Sequence, residues 1–352
     1  MKKYISIFLL LNAYLGLAQV TLDANGAGNT YEEITAVLAP NYSPVEAPDC
    51  NHLDFGRHID EVFDAELNTP VFRFFIHTSP DNDRCLKFDR QRNEIKTYDK
   101  SPDNLKGVEN ETVRYKWKFK LDADFQVSPS FTHVHQLKAV GGSLSSMPMY
   151  TITLRKSTPD RLELRYAETE SQITLQQTDL APFKGVWLEV EETITYGNMG
   201  SYTIEISRVD DGVDLFNYSN QNIINWRENA DFIRPKWGIY RSLNSAEDLR
   251  DEEVLFANIS IEELSNLWTE DFNSNDNFIN LLPNPTQNQL IIVESAPKLY
   301  DSYSLFNQLG QKIVSKNNSD KIIDLFNLSE GLYSVVFFKN NKIVLVKKAL
   351  KN

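Results

Sequence analysis

Three short segments carry side chains able to move protons and hold anions. Phe131-Thr-His-Val-His-Gln-Leu-Lys138 brings two imidazoles, an amide and an ammonium; Arg92-Asn-Glu-Ile-Lys96 sets two cations around a carboxylate; Lys236-Trp-Gly-Ile-Tyr240 separates an ammonium and a phenol by a glycine. Their composition favours extended strands, in which alternate residues share a face. Arg92, Glu94 and Lys96 then share one face, Gln136 and Lys138 another, and Lys236, Gly238 and Tyr240 a third. By the same parity His133 and His135 point to the opposite side of their strand, with Leu137. If the three polar faces line one groove, Gly238 leaves room for a ligand to come close.

Such a groove suits β-elimination on a uronic acid polymer. Loss of the proton α to a sugar carboxylate builds enolate charge, which cations or hydrogen-bond donors must meet. Arg92, Gln136 and Lys138 are the candidates around that carboxylate, with Lys236 as a further binding group. A base takes the C5 proton and an acid protonates the departing O4. Tyr240 can do both where Lys236 or Arg241 lowers its pKa. No metal or cofactor is required. His133 and His135 are the reserve for binding or proton transfer, and otherwise hydrogen-bonded core imidazoles. As a His-x-His pair they lack a visible third zinc ligand, so no metal ligand is assigned. The acidic runs Asp81–Asp83 and Asp248–Glu253 lack a calcium-loop spacing and read as solvated surface, a structural calcium being the one ion left open.

Two other functions fit less well. A glycoside hydrolase needs paired carboxylates, and Glu189 with Glu191 is the one tidy pair, without a partner motif. A non-catalytic carbohydrate-binding jelly roll would want an aromatic platform, yet Trp237 faces away from Tyr240 by parity.

The elements that must position these groups are strands. Val113–Leu121 alternates without a miss, with Val113, Tyr115, Trp117, Phe119 and Leu121 inward and Arg114, Lys116, Lys118 and Lys120 outward. Runs at 149–156, 161–166, 186–196 and 202–207 follow, broken by turn residues, and 244–255 has room for a short helical turn. The fold class expected is all-β, a two-sheet β-jelly-roll sandwich followed by a small C-terminal β-sandwich. The boundaries read as a secretory signal at 1–18, an aperiodic lead-in at 19–50, the jelly roll at 51–270, an Asn/Asp-rich linker at 271–281 and the second module at 282–352. In an exported chain the two cysteines, Cys50 and Cys85, are expected to form a disulfide. The formal net charge is −13, and the lysine-rich tail makes the body more acidic still, which argues against nucleic acid as partner. No stretch after the signal is apolar for long enough to span a bilayer, and a monomer is expected.

Two resemblances sharpen this. The tail, through Pro283-Asn-Pro, Leu309-Gly-Gln, Leu328 with Gly331-Leu-Tyr333 and the terminal lysines, resembles the C-terminal sorting domain of the type IX secretion system of Bacteroidetes. This implies secretion or display at the cell surface, with that machinery as partner. The three groove segments resemble the signature strands of jelly-roll polysaccharide lyases, which include the family seven alginate lyases. Arg92-Asn-Glu-Ile-Lys96 matches Arg-x-Glu-x-Arg, Gln136-Leu-Lys138 matches Gln-Ile-His with Lys138 for His, and Lys236-Trp-Gly-Ile-Tyr240 matches Lys-Ala-Gly-x-Tyr. More closely, Pro48 to Glu262 resembles the ulvan lyases of polysaccharide lyase family twenty-eight from marine flavobacteria. The resemblance implies endolytic cleavage of ulvan, an anionic algal polysaccharide of sulfated rhamnose with glucuronic or iduronic acid. It assigns Tyr240 as acid and base, with Lys138, Gln136 and Arg92 at the carboxylate. Lys138 in place of the group's usual His argues against an alginate-type neutraliser and points to a different uronate or a different division of roles; glucuronan or alginate are the alternative substrates, and a non-catalytic carbohydrate-binding jelly roll is the alternative function.

Overall fold

The alternation at 113–121 becomes a central strand of a β-sandwich in the computed structural model, which describes residues 19–264, 279–295, 297–340 and 342–352. The expected signal and most of the expected linker lie outside the described residues. The chain divides into two units, residues 1–265 and 266–352.

The first unit opens with β1 (Gln19–Leu22), helix α1 (Thr30–Leu38), β2 (Val45–Glu46), β3 (Ile59–Asp64), β4 (Thr69–Ile76) and β5 (Arg90–Lys96). Then come β6 (Thr112–Leu121), β7 (Thr132–Gly141), β8 (Tyr150–Arg155), β9 (Arg161–Tyr166) and β10 (Ile173–Asp179). It closes with β11 (Trp187–Thr195), β12 (Gly200–Arg208), β13 (Asp214–Ile223), β14 (Ala230–Ser242) and β15 (Glu252–Leu264). One sheet has the order β13-β12-β11-β6-β15-β4-β3, with β1 added on β15; the other, the groove sheet, runs β10-β9-β8-β7-β14-β5-β2. This is the jelly-roll sandwich expected.

Strand β6 shows which term holds the layers. Tyr115, Trp117, Phe119 and Leu121 are fully buried between the sheets, each contributing about 1.5–3 kcal/mol. On the outer face Lys116 and Lys118 pair with Glu191 and Glu189, and Arg114 with Glu262. The two lysine pairs face solvent and contribute about 0–1 kcal/mol each, so burial decides the fold and the charges keep that face soluble. The carboxylates weighed for glycoside hydrolysis are thereby engaged on the outer face.

Residues 19–50, aperiodic in sequence, pack onto the first unit. β1 pairs with β15, Ile34 and Leu38 of α1 enter the core, and β2 edges the groove sheet opposite β5. These pieces are too short for their periodicity to show in the sequence. The helical turn expected within 244–255 is a 3₁₀ turn at Ala246–Asp248, and β15 begins at Glu252. Cys50 and Cys85 form the expected disulfide, with Cα atoms 6.3 Å apart.

Gly238 in β14 has φ +138°, and a Cβ there would overlap the Asn93 carbonyl oxygen on β5. Gly238→Ala is expected to cost about 1–3 kcal/mol from backbone strain before any clash, read as a lower midpoint in urea unfolding.

The second unit is a small sandwich of two sheets. β16 (Ile279–Leu282), β17 (Gln289–Glu294), β18 (Ser302–Phe306), β19 (Lys312–Asn317), β20 (Ile322–Asp324), β21 (Gly331–Lys339) and β22 (Lys342–Lys351) form the sheets β16-β17-β20 and β19-β18-β21-β22. Tyr300, Tyr303, Leu305, Val335 and Phe337 fill its core. Among the described residues no helix is long and apolar enough to cross a membrane.

Candidate functional site

The groove face of the second sheet collects the polar residues that strand parity assigned to it. β14 pairs with β5 in regular register, Lys236 opposite Lys96, Gly238 opposite Glu94 and Tyr240 opposite Arg92. Directly opposed residues share a face, so Arg90, Arg92, Glu94 and Lys96 lie beside Lys236 and Tyr240. Gln136 faces Lys236 and Lys138 faces Arg234 across β7 and β14.

The parity argument fails for the histidines. On β14 two residues, Gly238 and Ile239, oppose the single Val134, while Val134 is itself an extra residue against β8. This bulge changes the phase of β7 between its two imidazoles. His135 stays on the core side, packed on Trp117 and Trp237 with Nε2 2.9 Å from Glu192 Oε2. His133 comes to the groove face, opposite Tyr240, with ring centroids 5.9 Å apart. The expectation that both share one face with Leu137 is corrected: His135 is a core residue and His133 belongs to the site.

Most of the predicted binding cations are already neutralised. Glu46 lies directly opposite Glu94 in the β2–β5 register, and the Lys236 ammonium sits between them at 2.6 Å from each. Arg92 pairs with Glu94, with Glu46 at 3.4 Å and with Asp83 at 3.0 Å; Lys96 reaches Glu46 at 2.7 Å; Gln136 donates to Glu94. Burial alone would raise the Glu94 carboxyl, but Lys236 and then Arg92 outweigh it and hold it at about 2. Glu46 is lowered in the same way, burial being overcome by Lys236, Arg92 and Lys96. Arg92, Lys236 and Gln136 therefore form a buried ionic floor to the groove, with their strongest hydrogen-bonding capacity spent inside it.

Two ends of the floor remain open to an anion. At one end Tyr240 Oη accepts a hydrogen bond from Arg90 at 2.9 Å, the Arg92 guanidinium lies 3.7 Å from the centre of its ring, and Phe131 packs at 5.0 Å. Burial pushes His133 down to about 3, so its ring is neutral there, and its Nδ1 is buried without a hydrogen-bond partner. Arg155 and Arg165, brought alongside by β8 and β9, share one carboxylate, Glu163, which lies 3.6 Å from Arg155 Nε and 2.9 Å from Arg165 Nη1, and Arg165 Nε is buried without a hydrogen-bond partner. At the other end Lys138 makes no ion pair or hydrogen bond among the described residues. Burial, with Lys236 and Arg234 adding to it, lowers it to about 8. Arg234 beside it lies 4.5 Å over the Tyr98 ring, with Nε and Nη1 buried and unpartnered.

Arg241, one of two cations expected beside Tyr240, is fully buried on the other side of β14, bonded to Gln91 and to the Arg250 carbonyl; Arg90 occupies the expected place. Arg90, Arg155, Arg165 and Arg234 were missed, although Arg155, Arg165 and Arg234 each follow an apolar residue on their strands; Arg90, at the start of Arg90-Gln91-Arg92-Asn93, carries no such signal. Glu46 had no such signal, since β2 has only two residues. The acidic runs weighed for calcium carry other partners: Asp83 holds Arg84 and Arg92, Asp248 holds Lys156, and Glu252 holds Arg250.

A search of curated proteins finds no match. Among solved structures, the chain is similar to an endo-β-1,4-glucuronan lyase from the fungus Trichoderma reesei (15% identity, 58% of this chain and 86% of that one, TM-score 0.43). It is also similar to an alginate lyase from Aplysia kurodai (11% identity, 69% and 98%, TM-score 0.47) and to one from Pseudomonas aeruginosa (12% identity, 62% and 96%, TM-score 0.41). Residues 280–352 match the family described as secretion system C-terminal sorting domain. The second unit, whose sandwich was described above, is thus a C-terminal sorting domain of an exported protein.

Proposed function

We propose that the first unit is a polysaccharide lyase that cleaves a uronate polymer by β-elimination, with ulvan as its substrate. The observation that carries this reading is the Tyr240 phenol held between Arg90 and Arg92 in a groove whose uncompensated groups are cations. Tyr240 exchanges the C5 and O4 protons, and the guanidinium already donating to Oη meets charge that develops there. His133, neutral beside it, accepts a proton where Tyr240 serves as acid. Lys138 and Arg234 take an anionic group of the polymer, carboxylate or sulfate, with which guanidinium and ammonium both form charge-assisted hydrogen bonds. Ulvan is favoured by the resemblance of the stretch from Pro48 to Glu262 to its lyases and by the number of open cations, more than one carboxylate would use. The sorting domain supports export, with residues 1–18 as signal.

The test is to incubate the chain with ulvan and follow the near-ultraviolet absorbance of an unsaturated uronate. Reducing ends without absorbance would mean hydrolysis, and binding without either would mean a lectin. A faster rise on glucuronan or alginate would replace ulvan and keep the reaction.

Lys138 also sets an expected pH profile. Its charged form prevails below about 8, so kcat/KM is expected to fall as pH rises through that value. A bound anion stabilises the ammonium, so kcat should fall at higher pH than kcat/KM. Lys138→Ala should remove the limb and lower kcat/KM about 10-fold or more. No limb near pH 6 is expected from His133, which is neutral throughout that range.

A further inference from the structure

Three of the five histidines, His52, His58 and His77, converge on Asp81, and the proposed reaction uses none of them. One donor atom from each of the four residues lies within 4.8 Å of all the others. The fold brings them together from four places: His52 follows the short turn Asp49–Asn51, His58 immediately precedes β3, His77 immediately follows β4, and Asp81 lies in the loop to β5. Antiparallel pairing of β3 with β4 sets His58 and His77 at one end of the hairpin.

Hydrogen bonding fixes which His58 nitrogen faces the cluster. Its Nδ1 lies 2.8 Å from Asp49 Oδ1 and 3.0 Å from the Gly56 carbonyl oxygen, both acceptors, so Nδ1 carries a proton. Nε2 then faces Asp81 Oδ1 at 3.1 Å and His52 Nδ1 at 3.4 Å. His52 Nδ1 is 2.8 Å from Asp81 Oδ1, and His77 Nδ1 is 3.0 Å from Asp81 Oδ2. The Asp81 and His58 side chains are fully buried. A buried carboxylate ringed by three imidazole nitrogens is completed by a cation at their centre.

The donors select the ion. Tetrahedral zinc, with bonds of about 2.0–2.2 Å, separates its donors by about 3.3 Å; the short contacts lie within a few tenths of an ångström of that, and the wider donor separations, which reach up to 4.8 Å, close on the ion by about an ångström or more. Calcium prefers six or more oxygens, and nitrogen dominates here. The surroundings also have the form of a metal site. Asp49 orients His58 and itself accepts from Tyr31 Oη at 2.9 Å, the carboxylate–histidine arrangement that steadies a ligand imidazole. The Phe55 ring lies 5.2, 4.7 and 4.4 Å from the rings of His52, His58 and His77, an apolar cover.

We propose that His52, His58, His77 and Asp81 form a structural zinc site that fixes the loop between β4 and β5. Four protein donors close the coordination sphere, as in structural sites. The loop matters because it carries Asp83 to Arg92 and Arg84 to Glu46. Gln91, which binds the His77 and Asp81 carbonyls, joins it to Arg241 of β14. The ion therefore steadies the wall of the groove without touching substrate.

The test uses the full chain produced with zinc, metal content by mass spectrometry, and calorimetry. About one zinc per chain is expected. Chelation should lower Tm by about 5–8 °C, and zinc should restore it where calcium and magnesium do not. Cobalt(II) should give the visible bands of a tetrahedral site. His77→Ala, at a partly exposed ligand, should fold with the Tm of the metal-free chain and lose both zinc and the cobalt bands. A wild-type chain that takes up neither metal, with Tm unchanged by zinc, overturns the proposal, leaving a protonated His58 between Asp49 and Asp81. Zinc binding by His77→Ala equal to wild type overturns it too, since the ion would lie elsewhere.

Discussion

Tyr240→Phe is expected to lower kcat on ulvan by about 10²–10⁴-fold, the usual contribution of a positioned acid or base, with Tm within about 4 °C of wild type. The two effects separate because the ring and the hydroxyl have different partners. The ring is held by Arg92 at 3.7 Å and Phe131 at 5.0 Å, which phenylalanine keeps; among the described residues the hydroxyl bonds only to Arg90, whose side chain is one-third exposed. Turnover from the absorbance of the unsaturated product, with thermal unfolding alongside, checks both. Full activity in the variant would remove Tyr240 from proton transfer and move that role to His133, in which case His133→Ala would be the inactive enzyme.

Glu94→Ala is expected to destabilise the first unit by about 3–5 kcal/mol, the usual consequence of removing one partner from a buried ion pair. Glu94 is 1% exposed and accepts from Lys236, Arg92 and Gln136. Without it the buried Lys236 depends on Glu46 alone and Arg92 on Asp83 and the more distant Glu46, whose own four cations cannot all be met at short range. Urea unfolding at neutral pH measures the loss. The pH dependence has a definite sign. The Glu94 carboxyl is depressed from its ordinary 4.5 to about 2, so its stabilisation is present in full above about 4.5 and is lost as pH falls through 2. The difference between wild type and Glu94→Ala should therefore shrink in acid. A difference that stays constant from pH 7 to pH 2 would show that Glu94 contributes packing and not charge.

Both experiments bear on a distinction that single strands do not reveal. Arg92 and Tyr240 were legible as neighbours because alternate residues of a strand share a face and neither β5 nor its pairing with β14 is interrupted. Whether the Arg92 charge is available was not legible. That depends on Glu46, supplied by a two-residue strand some fifty positions away, and on Asp83 from a loop. The same holds for His133 and His135. Two residues apart, they should share a face, and they part only because a bulge centred on Val134 answers the extra residue of β14 on the neighbouring strand. The histidine cluster around Asp81 went unseen because its members are spaced irregularly, and a hairpin end, a turn and a loop bring them together.

The sequence by itself determined the β-sandwich class, the disulfide between Cys50 and Cys85, the sorting domain at the C-terminus, and the face on which Gln136, Lys138, Lys236 and Tyr240 lie. These follow from local periodicity, cysteine count and contiguous motifs, all properties of short stretches of chain. Only the tertiary structure decided which charges are spent and which remain open, that His133 joins Tyr240 while His135 enters the core, and that three histidines and an aspartate meet. Each depends on the distance between strands remote in sequence, and charge compensation, bulge phase and ligand convergence arise only when those strands are packed.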